Sequence, residues 1–102
     1  MSDVRFRLFI AGATPRSQRA IANLQRLGEE HLQGRYELEV IDVVERPDEA
    51  ETYRILTTPT LVKDKPEPAR RVTGDLSDGA KVLYGLALEP SADADSLREN
   101  GR

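Results

Sequence analysis

Val4, Phe6, Leu8 and Ile10 alternate with Arg5 and Arg7 at the head of the chain, the two-residue period of a strand with one buried face. Ala11-Gly12-Ala13 then gives a tight exit. Thr14 before Pro15 reads as an N-cap followed by a residue whose missing N–H would be unpaired there anyway. From this point the period lengthens. Ile21, Leu24, Leu27 and the Leu32 region recur at helical spacing, while Arg19, Gln25, Arg26 and Glu29 take the other side, which predicts an amphipathic helix ending near Gln33-Gly34. Tyr36, Leu38 and Val40 alternate with Glu37 and Glu39 and run into Ile41-Asp42-Val43-Val44, a second strand that should become more buried along its length. Two strands joined by such a helix pack as a right-handed crossover with parallel strands, so the first half is expected to be βαβ.

The second half is more punctuated. Pro47-Asp48-Glu49-Ala50 starts a short helix to about Ile55, with acidic residues at the positive end of its dipole. Thr58, before Pro59, is pushed toward extended geometry, and Thr60-Leu61-Val62 continues as a strand. Asp64-Lys65-Pro66-Glu67-Pro68 reads as a loop and Arg70-Arg71-Val72-Thr73 as the returning strand of a hairpin. Asp75 or Ser77 is expected to cap a final helix carrying Leu76, Val82, Leu83 and Leu86. The residues from Glu89 onward have little to bury. Residues 90–102 are therefore expected to be a disordered tail, and residues 1–89 a single domain, the only one that a 102-residue chain has the core for.

Composition narrows the chemistry. There is no Cys, so disulfides, thiolate nucleophiles and dithiol redox steps are excluded. Fifteen basic against eighteen acidic residues give a formal charge of −3, which argues against nucleic acid as the partner. The N-terminal residues form neither a signal peptide nor a membrane span, and a cytoplasmic location is expected. Thr14 and Ser17 lack a recognisable general base, so capping is the better reading of both. The single His31 cannot make a metal site, and the spacing of Asp42, Asp48, Asp75 and Asp78 does not follow a calcium loop. No metal or cofactor is expected. Arg70 and Arg71 are neighbours on a strand and so face opposite sides. An interface role and a charged edge that blocks aggregation remain equal readings for them, and Arg19 and Arg54 share the ambiguity on helical faces.

The order βαβ, helix, hairpin, helix resembles a thioredoxin-like α/β domain. Where that fold places its redox pair, at the entry to the first helix, this chain has Thr14-Pro15-Arg16-Ser17. A more specific resemblance rests on Ala11-Gly12, Thr14-Pro15, Ser17, Arg19-Ala20 and Ile41-Asp42-Val43 in the first half. In the second it rests on Ile55-Leu56, Thr58-Pro59-Thr60-Leu61, Arg70-Arg71, Gly74-Asp75-Leu76-Ser77-Asp78 and Lys81-Val82-Leu83. These motifs resemble the KaiB family of circadian-clock proteins from about Phe6 to Leu88. The resemblance implies a non-enzymatic protein whose partner is the hexameric ATPase KaiC, and whose binding influences that ATPase's phosphorylation and nucleotide cycle. A KaiA-like protein or a histidine kinase is a further partner it implies. A sensor or adaptor module for a histidine kinase pathway is the alternative function, and a thioredoxin- or glutathione-transferase-type enzyme the least favoured.

The family also implies two packings of the second half: a thioredoxin-like monomer, and a ground state, βαββααβ, often a dimer or tetramer. Arg19, Arg54, Arg70 and Arg71 are then the expected partner-binding residues. Pro59, Pro66, Pro68, Asp75, Gly85 and Ala87 are the candidates for governing a change of packing, X–Pro isomerisation being a candidate slow step. This chain departs from the family in Gly85-Leu86-Ala87-Leu88, where an Asp is common in place of Ala87. Its Pro-rich loop is reduced to Lys65-Pro66-Glu67-Pro68, and Arg54 stands in place of a lysine.

Overall fold

The structure is a computed structural model that describes residues 3–88; the expected tail lies outside the described residues. The alternating segment forms β1 (Val4–Ile10), and a helix, α1 (Pro15–Leu32), leads to β2 (Tyr36–Asp42). A short helix, α2 (Pro47–Thr52), precedes a hairpin of β3 (Thr60–Lys65) and β4 (Arg70–Thr73), and α3 (Gly79–Gly85) follows. The sheet has the order β2-β1-β3-β4. β1 runs parallel to β2 and antiparallel to β3, and β3 is antiparallel to β4. This is the βαβ unit followed by αββα that the periodicities predict, in the thioredoxin-like packing rather than the alternative βαββααβ.

The side-chain alternation of β1 divides the core in two. Phe6 and Leu8 turn to one face, where they meet Leu24 and Leu27 of α1 and Val82 and Leu83 of α3. Phe9 turns to the other, against Ile41 and Val62, with Tyr53 and Ile55 closing over them from the α2 side. Burying a side chain of this size contributes roughly 1.5–3 kcal/mol, so the larger first cluster, under two helices, dominates stability.

Several expectations are corrected. β2 does not become steadily more buried: it is an edge strand, Ile41 is its one buried residue, and Val40 stays 39% exposed. α2 stops at Thr52 rather than Ile55, because Arg54 takes a left-handed conformation (φ 53°). The amides of Arg54 and Ile55 then turn back to the carbonyls of Glu51 and Ala50, the hydrogen-bond pattern of a Schellman ending. β3 continues to Lys65, past the expected stop. Leu76 precedes α3 instead of lying in it, and the cap is Asp78, whose carboxylate accepts the Lys81 amide at 3.2 Å, not Asp75 or Ser77.

Candidate partner-binding site

At the entry to α1, the Thr14 hydroxyl accepts the Ser17 amide at 3.1 Å and donates to the Ser17 hydroxyl at 3.0 Å, while Ser17 is buried. The two hydroxyls satisfy each other and the helix end. His31 lies near the other end of the same helix. This place in the fold therefore caps a helix.

The four arginines divide by position. Arg19, on α1, pairs with Asp75 at 3.6 Å, and Asn23 one turn on donates to the Asp75 carbonyl at 2.8 Å. The Asp75 carboxylate also accepts the Ser77 amide, and hydrogen bonding from Ser77 first, then the Arg19 guanidinium, holds it below its ordinary value. The loop from Gly74 to Asp78 is thus pinned to α1, and the Gly74 amide ties it to the Pro59 carbonyl as well. Arg71 reaches across from β4 and donates to the Tyr53 and Arg54 carbonyls at 2.6 and 3.2 Å. It therefore holds Arg54 beside itself at the end of α2. Arg70 faces the opposite side of β4, next to Lys63 in the register. The structure brings Arg54 and Arg71 together, leaves Arg70 just over the sheet edge, and sets Arg19 apart. Arg54 and Arg70 are exposed and have no side-chain hydrogen bond or ion pair among the described residues.

The packing candidates sit around the same half. Pro59 is buried at the start of β3, while Pro66 and Pro68 are exposed in the hairpin turn. Gly85 lets α3 approach β4: a Cβ there would lie 2.5 Å from the Val72 side chain. Ala87 has φ 57°, with its amide and that of Leu88 turned back to the carbonyls of Tyr84 and Leu83. It occupies the position of a Schellman ending at which glycine is favoured.

Two features were not singled out from the sequence. Arg7 lies opposite Glu39 in the parallel register and bonds it at 2.6 Å, while its Nε bonds Asp64 on β3, also at 2.6 Å. Glu39 takes a second guanidinium from Arg46, and Tyr53 donates to Asp64 with its ring 5.3 Å from the Arg7 head group. The bond to Asp64 raises the Arg7 value, and burial together with Asp64 raises that of Tyr53. This network straps α2 across three strands. Its signal in the sequence was the charged alternate positions of β1 and β2. The second feature is apolar: Leu56 is 96% exposed and, with Val43, Pro47, Ala50 and Ile55, lines an open groove of about 350 Å³ close to Arg54. Among the described residues no group of His, Asp or Glu is placed to hold a metal ion, and no helix is long and apolar enough to cross a membrane.

The KaiB domain family model matches residues 7–88. The chain belongs to the KaiB family. It is 47% identical over 90 residues to the circadian clock protein KaiB3 of Synechocystis sp., covering 88% of each chain. It is 52% identical over 82 residues to the circadian clock oscillator protein KaiB of Microcystis aeruginosa, covering 80% of this chain and 79% of that one. Among solved structures it is similar to the N-terminal domain of SasA from Synechococcus elongatus, with a TM-score of 0.68 and 27% identity over 85% of this chain and 86% of that one. Mitochondrial thioredoxin 3 of Saccharomyces cerevisiae has a TM-score of 0.65 at 19% identity, covering 85% and 79%, and so shows the fold alone. The family is one of circadian clock proteins, and the fold is thioredoxin-like.

Proposed function

We propose that this chain is a non-enzymatic timing protein that docks on a KaiC-like hexameric ATPase and modulates its phosphorylation and nucleotide cycle. The observation that carries this reading is the match along residues 7–88 to relatives named as clock proteins at about half identity. The hydroxyl pair at the entry to α1 supports it, since that position is given to capping. The docking surface is the segment from Arg54 to Thr58, with Leu56 as its apolar contact, together with Arg71 and Arg70 on the β4 edge. Partner binding draws the second half into the thioredoxin-like packing from an alternative one in a resting oligomer, a shift that a few kcal/mol of differential binding can drive.

Mixing the chain with a KaiC hexamer and ATP, followed by size-exclusion chromatography, should show a complex that accumulates slowly. No complex after prolonged incubation overturns the reading. The likeness to the SasA domain favours a second one, a sensor or adaptor module in a histidine kinase pathway. That reading expects the packing seen here from the outset, and hence a complex formed without a slow phase.

A further inference from the structure

Lys63 lies in β3, an interior strand, on the face that carries α3, opposite Phe6 of β1 and Arg70 of β4. It is fully buried, and its Nζ has no hydrogen-bond partner among the described residues. Among the described residues no carboxylate bonds it: α1, on the same face, contributes Leu24 and Leu27 to the core, and its carboxylates Glu29 and Glu30 are exposed, Glu30 paired with Arg26. β1 presents Phe6, with Arg5 and Arg7 on the opposite face, and β4 presents Arg70, a second cation. α3 and the residue after it contribute Leu83 and Leu86 to this core. The charged residue of α3, Lys81, is exposed beside the Gly74–Asp78 loop, and its other titratable group, Tyr84, is 88% exposed. The carboxylate next along β3, Asp64, points through the sheet to Arg7.

A buried ammonium ion without a partner is costly, and two responses relieve it: the proton leaves, or the cover opens and admits water. We propose that Lys63 makes the closure of α3 over β3 and β4 proton-linked: the protonated amine weakens this layer and promotes its local opening, and loss of the proton tightens it. Burial, and then Arg70, push the amine below its usual 10.5 when the layer is closed. The closed layer thus binds the proton less readily than the open one. Closure is weakest below the closed-state value and strengthens as pH rises toward 10.5. The proton thus governs how firmly α3 holds to the sheet, with no partner protein involved.

Amide hydrogen exchange on the full chain, followed residue by residue from neutral to alkaline pH with intrinsic rates divided out, tests it. In the wild type, protection of β3, β4 and α3 should rise with pH while that of β2 and α1 stays level. Lys63→Met and Lys63→Leu should raise protection of the same three elements about tenfold at neutral pH and flatten the profile. A level wild-type profile overturns the proposal, and this readout needs no variant to fold. Protection unchanged in folded variants overturns it as well.

Discussion

At Asp75 one carboxylate accepts the Ser77 amide and pairs with Arg19, so the turn between β4 and α3 is held to α1 by a charge. Because that carboxyl is held below its ordinary 3.8, its contribution is present above that value and is lost as pH falls through the folded-state value. The Ser77 amide resonance should therefore titrate below pH 3.8, and Asp75→Asn should abolish the titration. At Arg7 the interaction is multiple and half-buried. Arg7→Met leaves Glu39 and Asp64 without their shared cation and should cost about 1.5–3 kcal/mol, seen as a lower denaturation midpoint at constant m-value. Neither arrangement was fully legible in the sequence. The alternation set Arg7 and Glu39 each across its own strand from the apolar positions, but the register that sets them side by side belongs to the assembled sheet. Asp75, Ser77 and Asp78 offer similar capping oxygens within one turn, and the buried Leu76, at φ 65°, decides among them by turning the chain before the helix begins.

Among the elements, β1 and α1 were readable because each follows a single period with clear punctuation, and their bounds agree with the structure. The burial of β2 was misjudged because composition cannot distinguish an edge strand from an inner one; that depends on which strand pairs with which. Lys63 illustrates the converse, a charged residue buried because β4 and α3 cover an interior strand. Helix ends give the sharpest tests. Ala87→Gly should stabilise α3 in this packing by about 0.5–1 kcal/mol, because relief of the left-handed strain exceeds the added chain entropy of glycine. Asp78→Ala should cost about 1 kcal/mol through loss of the Lys81 amide bond. Thermal unfolding of the two variants against the parent reads both, and the same sign for both would refute the assignments.

Over the whole molecule, formal charge is slightly negative while the β4 edge and the end of α2 are basic, so the proposed docking surface differs in sign from the average. Arg70→Glu should weaken the proposed complex with a KaiC-like ATPase ring and make it less sensitive to added salt, measured as affinity at two ionic strengths. Arg70 suits this test better than Arg71, whose loss would also free the Tyr53 and Arg54 carbonyls. The family was legible from motifs that follow in order from Ala11 to Leu83, whereas the proposed docking groove was not, because Leu56 and Val43 come from segments that only folding sets beside each other.

β1 is bonded to β2 on one side and to β3 on the other. The main-chain bonds of the sheet that join the hairpin to the opening βαβ unit lie in one antiparallel seam, from Arg5 and Lys65 to Phe9 and Thr60, beside the Arg19–Asp75 pair and the core that α1 and α3 share. Opening that row would leave the parallel ladder and its crossover helix with every main-chain bond they share. The first strand is thus the hinge of two hydrogen-bond systems, one parallel and local, the other antiparallel and reaching the far half of the chain.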